Sequence, residues 1–253
     1  NIAAFRWGRR AAHDPDFVRK QIAGQAKADK LPDNLDDVIG RRRDFLTAYQ
    51  NAAYANRYAE AVNRIRRKEM AVAPGSTALT ESVARNLFKL MAIKDEYEVA
   101  RLYTDGSFQR QLLKEFESHA RLEFHLAPPI LGRTDASGKP RKSSFGPWMM
   151  TGFRLLAKLK GLRGTAFDLF GKTAERKRER QLLAEYEADI EFIGAHVDAH
   201  THEAAVALAA VPSLVRGFGH VKEASMQRAS AERARVLGRL KSHAAPDHMQ
   251  AAE

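Results

Sequence analysis

The stretch TAERKRERQLLAEYEADIEFIGAHV, Thr173–Val197, decides the class of fold. Leu182, Leu183, Tyr186, Ile190 and Ile193 recur at threes and fours, the period of an α-helix that buries one face. Charged residues fill the other face. Thr173 precedes the run and suits an N-cap, because its hydroxyl can accept a first-turn amide. A strand would need alternation by twos, which is absent here.

Working outward, the same period returns in most of the chain. Residues 1 to about 30 read as a helical lead-in, broken by LPDN (Leu31–Asn34), with Asn34 as the next N-cap. Val38, Ile39, Phe45, Leu46, Tyr49, Val62, Ile65 and Met70 then predict one long amphipathic helix or two in line, ended by APGS (Ala73–Ser76). Thr80 is expected to cap a helix carrying Val83, Leu87, Leu90, Met91, Val99 and Leu102. In DEYEVARLYTDGSF (Asp95–Phe108), Glu96 and Glu98 fall on different helix faces, so they cannot act as a carboxylate pair. Asp105-Gly106 is a turn signal, with Ser107 expected to cap a helix bearing Phe108, Leu112 and Phe116 on its apolar side.

Residues 121–146 are the least helical part. Two extended runs flank DASGKP (Asp135–Pro140), predicting a small hairpin-like excursion. Pro147 fits the first turn of a helix to about Lys160, and Gly161–Thr173 is a loop. Thr201 is expected to cap an alanine-rich helix that Pro212 ends or kinks. Arg216–His220 is a glycine hinge, a last helix runs to about Leu240, and the remainder is a tail. The expected fold class is mainly α, with a lead-in over 1–30, a helical domain over 31–241 and a flexible tail over 242–253.

Composition limits the chemistry. The 253 residues are 44% hydrophobic and 29% charged, as in a globular chain with room for a core. With 42 Lys+Arg against 31 Asp+Glu the net charge is +11, which favours an acidic partner. There is no cysteine, which removes thiolate metal sites, cysteine-held iron–sulfur clusters and thiol nucleophiles, and makes a reducing cytoplasm the expected location. No apolar run approaches the roughly 18 residues of a membrane span, so no membrane partner is expected. The start NIAAFRWGRRAAHDPDF lacks an initiator Met, and the chain is expected to be a piece of a longer one.

His196 and His200 are four apart, with His202 and Glu203 nearby, but the spacing is not H-E-x-x-H and Thr201 breaks the helix there; a structural role outweighs zinc. Arg41–Arg43, Arg64–Glu69 and Glu175–Gln181 read as solvated faces with i, i+4 ion pairs. Arg141 and Lys142 on a loop, and Lys158, Lys160 and Arg163 at a helix C-terminus, are different. They suit either the helix dipole or a small anion site for a phosphate or an acidic protein. Arg216–Glu223 holds G-x-G without a preceding strand, and neither a nucleophile elbow nor a phosphate-binding P-loop occurs.

The blocks LMAIKDEYEVARLYTDGSF (90–108), RLEFHLAPPIL (121–131), KPRKSSFGPWM (139–149), LLAKLKGLRGTAFDLFGKTAERKRERQLLAEYE (155–187) and RGFGHVKEA (216–224) resemble one family in this order. It is the C-terminal domain of fused-chain bacterial indolepyruvate ferredoxin oxidoreductases, of the 2-oxoacid:ferredoxin oxidoreductase superfamily. FRWGRRAAHDP (5–15) is similar to the junction with the preceding catalytic domain. The resemblance implies a parent enzyme that converts an aryl 2-oxoacid to an aryl-acetyl-CoA with thiamine diphosphate, Mg²⁺ and [4Fe–4S] clusters, passing electrons to ferredoxin. No catalytic residue and no metal ligand of that family carries over to a position here, so no cofactor is expected in this part. The expected role is a helical assembly domain partnered with the upstream catalytic domains, docking CoA or ferredoxin through the five cations above, with self-association open. The alternative from another class is a free-standing basic helical binder of nucleic acid, against which the absence of an aromatic platform speaks.

Overall fold

The computed structural model describes residues 2–26, 34–116, 122–126, 143–217 and 220–244. The chain forms two compact units, residues 1–41 and 42–253. In the first, the lead-in is two helices, α1 (Ile2–His13) and α2 (Pro15–Ala26), and α3 (Leu35–Tyr49) begins. Pro15 lacks the amide that a first helical residue leaves unpaired, and Asp14 accepts the Phe17 amide at 3.0 Å, so the chain restarts a helix at once. Asn34 caps α3 as expected, accepting the Asp36 amide at 2.9 Å.

The second unit continues with α4 (Ala52–Val72), α5 (Ala78–Met91), α6 (Glu96–Thr104), α7 (Ser107–Glu115), β1 (Phe124–Leu126), β2 (Ser143–Phe145), α8 (Met149–Lys158), α9 (Ala174–His196), α10 (His202–Ala210) and α11 (His220–Ala244). Short 3-10 turns follow α8 at Leu159–Leu162 and α10 at Val211–Leu214. The fold is mainly α with one small antiparallel sheet, as the periodicities predict.

Helix α5 is the centre. It packs against α4, α9 and α10. Tyr58, Val62 and Ile65 of α4, Leu79, Val83 and Leu87 of α5, Ile190 and Ile193 of α9, and Leu208 of α10 are buried together in this core. Each set keeps the three-or-four spacing, and removing a Leu or Ile side chain from such a core costs about 2–5 kcal/mol. A smaller core joins α6, α8 and the hairpin: Ala100, Phe124, Met150 and Phe153 are buried there. Tyr103 stacks on Phe153 at 5.0 Å and meets Phe124 edge-on at 5.4 Å. Phe124 pairs with Phe145 and His125 with Ser144 across the two strands. The connecting run 127–142, including the DASGKP turn, lies outside the described residues.

Several expected helix ends are placed differently. Of the two readings of the run from Leu35, two helices is the one observed, because the Asn51 side chain accepts the Tyr54 amide at 2.8 Å and starts α4 afresh. The run through Leu102 is also two helices, with Asp95 capping α6 through the Glu98 amide at 2.8 Å. Thr80 lies inside α5, whose cap position is Thr77. Ser107 is the first residue of α7 and donates amide and hydroxyl to Asp105 Oδ1; the left-handed turn is made by Gly106, with φ of 86°. The α7 stripe is shallow: no residue of that helix is buried, and Phe116 is exposed. Thr201 does precede α10, but its hydroxyl bonds Asp198 at 2.8 Å rather than a helix amide.

Replacing Asn51→Ala should lower unfolding free energy by about 1 kcal/mol, measured by urea denaturation, because the α4 cap is lost and no buried group is disturbed.

Candidate functional site

Among the described residues Glu69, Asp95, Glu98, Asp168 and Asp189 are buried carboxylates, and three of them organise the polar interior of the second unit. The first is Glu69, near the end of α4 and 1% exposed. Its Oε1 accepts from the Leu79 amide at 2.8 Å, Ser76 Oγ at 3.0 Å and His202 Nε2 at 2.9 Å. Its Oε2 accepts from the Thr80 amide at 2.8 Å and Thr80 Oγ1 at 2.6 Å. Leu79 and Thr80 are in the first turn of α5, where helix amides have no internal acceptor. Thr77, at the cap position, makes no such bond, so Glu69 caps α5 from another helix. Burial alone would raise its pKa, but the Thr80, His202 and backbone donors outweigh burial and hold it below the usual carboxylate range.

The second and third, Asp95 and Asp168, face a cleft of about 290 Å³ between the end of α3, the 161–173 loop and α9. Arg163 donates to Asp95 twice, Nε at 2.5 Å and Nη2 at 2.9 Å. Its Nη1 donates to the Tyr49 carbonyl and to Gln50 Oε1, each at 2.7 Å, and the guanidinium lies 3.7 Å from the Tyr49 ring centre. Asp168 accepts the Gly164 amide at 2.8 Å and the Gly171 amide at 2.9 Å. A Cβ on Gly171 would stand 2.2 Å from Asp168 Oδ2, so the loop closes over its carboxylate only with glycine there. Arg180 Nη2 donates to the Gly171 carbonyl at 2.6 Å.

Across the cleft, Arg57 of α4 donates from Nε to Glu187 of α9 at 2.7 Å. One pair further along, Arg64 meets Glu191. Buried Asp189 on α9 accepts Arg233 of α11 twice, at 2.6 and 2.7 Å. Burial pushes the phenols of Tyr54 and Tyr97 up to about 12, and Tyr49 rises through burial and the nearby Asp95. At neutral pH the cleft therefore presents protonated phenols, arginines and carboxylates already holding donors.

The sequence-selected cations divide. Arg141 and Lys142 lie outside the described residues. Arg163 sits inside the fold as above. Lys160 Nζ donates to the Ala48 carbonyl at 2.6 Å, and burial, then Arg101, lowers its pKa. Lys158 ends α8 and is exposed. The structure thus brings Lys160 and Arg163 together at the end of α3, as fasteners. His196 ends α9, stacked on Phe192 with Nδ1 against the Phe192 carbonyl, while His200 is in the turn beyond. Among the described residues no three His, Asp or Glu side chains gather as a metal site. In the basic runs Arg64–Glu191 and Arg178–Glu223 pair between helices, and Arg176–Glu179 pairs within α9 at i, i+3, where i, i+4 pairs were expected.

Sequence reasoning missed Glu69, Asp95, Asp168 and Asp189, and named His202 only within a histidine group read as structural, without its partner. Asp95 alone carried a local signal: an Asp opening a helical run, with Glu98 three residues on, is a capping pattern.

This is a helical domain whose polar interior holds carboxylates that accept several internal donors, with Glu96 Oε2 buried and without a hydrogen-bond partner. The chain belongs to a family described as a family of unknown function, DUF6537, which matches residues 35–235. No curated protein and no solved structure matches it. No helix among the described residues is long and apolar enough to cross a membrane.

Glu69→Gln should destabilise the chain by about 2–4 kcal/mol at pH 7, because the amide would set an NH₂ against inward-pointing donors. The folded pKa of Glu69 is lowered, so its stabilisation is complete above the ordinary value of 4.5 and lost as pH falls through the folded value. Urea unfolding of the two proteins should show their difference shrinking below pH 4.5, and a constant difference would contradict the ionised cap.

Proposed function

We propose that the chain is a non-catalytic helical assembly domain of an indolepyruvate:ferredoxin oxidoreductase. It would buttress upstream domains that hold thiamine diphosphate, Mg²⁺ and [4Fe–4S] clusters. The observation that carries this reading is the saturation of Asp95, Asp168 and Glu187, the carboxylates lining the 290 Å³ cleft, by internal donors. A cleft whose ionic groups already cross-link helices supports rigidity rather than turnover. The ordered blocks resembling that enzyme family supply the identity of the parent, and the absence of cysteine leaves the clusters to other domains.

Within this role, docking of an acidic ferredoxin through Lys158 is compatible with its exposure, whereas Lys160 and Arg163 serve the fold. An exposed charge contributes mainly to encounter, so its loss is read in association rate and salt dependence.

The test has two parts. The isolated chain, given indolepyruvate, CoA, thiamine diphosphate, Mg²⁺ and oxidised ferredoxin, should release no carbon dioxide, and it should co-purify with the upstream catalytic domains expressed separately. Turnover by the chain alone, or no association with those domains, would overturn the proposal. Arg163→Gln should lower the melting temperature by several degrees, as expected for loss of about 2 kcal/mol in a domain of this size. Lys158→Gln should leave it unchanged.

A further inference from the structure

We infer that the groove joining the end of α5, the first turns of α9 and the start of α11 is a binding site for a phosphorylated small molecule. Its volume is about 430 Å³, within the usual range for a small-ligand site. Lys89, Lys94, Arg176, Arg216 and Lys222 line it, against two carboxylates, Glu175 and Glu179.

Those two carboxylates are already held. Lys222 Nζ donates to Glu179 at 2.6 Å and to Glu175 at 3.1 Å. Arg176 Nη1 donates to Glu179 at 2.6 Å. Lys89 Nζ points at two carbonyls, those of Pro212 and Val215, each at 2.8 Å. Arg216 gives its Nε to the Ser213 carbonyl at 3.1 Å. The exposed Lys94 ammonium and the Arg216 guanidinium have no carboxylate partner among the described residues, so the groove keeps a positive surplus. That surplus is felt inside the fold: burial, and then the charge of Arg216, lower the pKa of Lys89.

Two further features favour phosphate. The groove includes the N-terminal turns of the 23-residue helix α9, where the helix dipole adds to the positive potential. A guanidinium fork beside a lysine suits phosphate oxygens, which accept several donors at once. Leu90, Ala92, Ile93, Leu182 and Val215 form the remaining wall, which gives an organic portion an apolar surface. The site shares no residue with the five cations selected from the sequence, and it stands apart from the assembly role.

The test is calorimetric titration of the full 253-residue chain in low-salt, phosphate-free buffer, with inorganic pyrophosphate and adenosine diphosphate as probes. Both should bind once per chain, the nucleotide more tightly because of the apolar wall. Arg216→Gln and Lys94→Gln should each weaken binding about tenfold, the loss of one charge-assisted contact. Lys158→Gln, outside the groove, should leave it unchanged. Circular dichroism verifies that each variant is folded, and if Arg216→Gln disturbs the fold, Lys94→Gln alone decides. Absence of binding, or affinity that falls equally in Lys158→Gln, would overturn the inference. The assembly proposal is untouched by either result, since no partner domain enters the titration.

Discussion

A carboxylate taken out of water must be met by donors, because an unpaired buried charge costs several kcal/mol. Glu69 meets that demand with groups that themselves need an acceptor. The first amides of α5 have none within their helix, and Glu69 takes two of them along with Ser76, Thr80 and His202 side chains. One side chain therefore fixes where α5 begins and ties it to α4 and the start of α10. Because α5 is the helix that α4, α9 and α10 surround, its origin sets the register of the main core.

The same logic recurs wherever the helices cross. Arg163 binds the start of α6 through Asp95 and the end of α3 through the Tyr49 carbonyl. Arg233 binds α11 to α9 through Asp189, and Arg57 binds α4 to α9 through Glu187. These are forked or multiply bonded pairs with buried or half-buried members, more strongly coupled than isolated surface pairs. Such pairs use cations and carboxylates in equal number, so the surplus of +11 rests on the lysines and arginines outside them, most of which are exposed. The groove beside Lys94 and Arg216 is one place where such cations meet apolar walls.

How much of this was legible follows from the range of each interaction. Asn34 and Thr173 cap helices, and Asp105-Gly106 turns, through contacts within three residues, and the sequence announces all of them. The period of the apolar residues likewise reveals the buried stripe of α9. Glu69 and His202 are 133 residues apart, Arg163 and Asp95 are 68, and Arg233 and Asp189 are 44. Glu69, Asp189 and Arg233 read locally as charges on a helix face, and Asp95 and Arg163 mark a cap and a helix end without naming each other. Thr80 shows how the two levels interact: it is a good cap by type, but a better acceptor from another helix turns its hydroxyl into a donor. The five cations picked from the sequence were chosen by position in loops and helix ends, which says nothing of the partners that enclose Arg163 and Lys160.

The most direct measurement is native-state hydrogen exchange at the amides of Leu79 and Thr80. If Glu69 caps α5 inside the core, both amides exchange only through global unfolding, with the same opening free energy as Leu87 and Ile190. Exchange at the rate of an exposed, unpaired first turn would contradict the buried cap and the interior built on it.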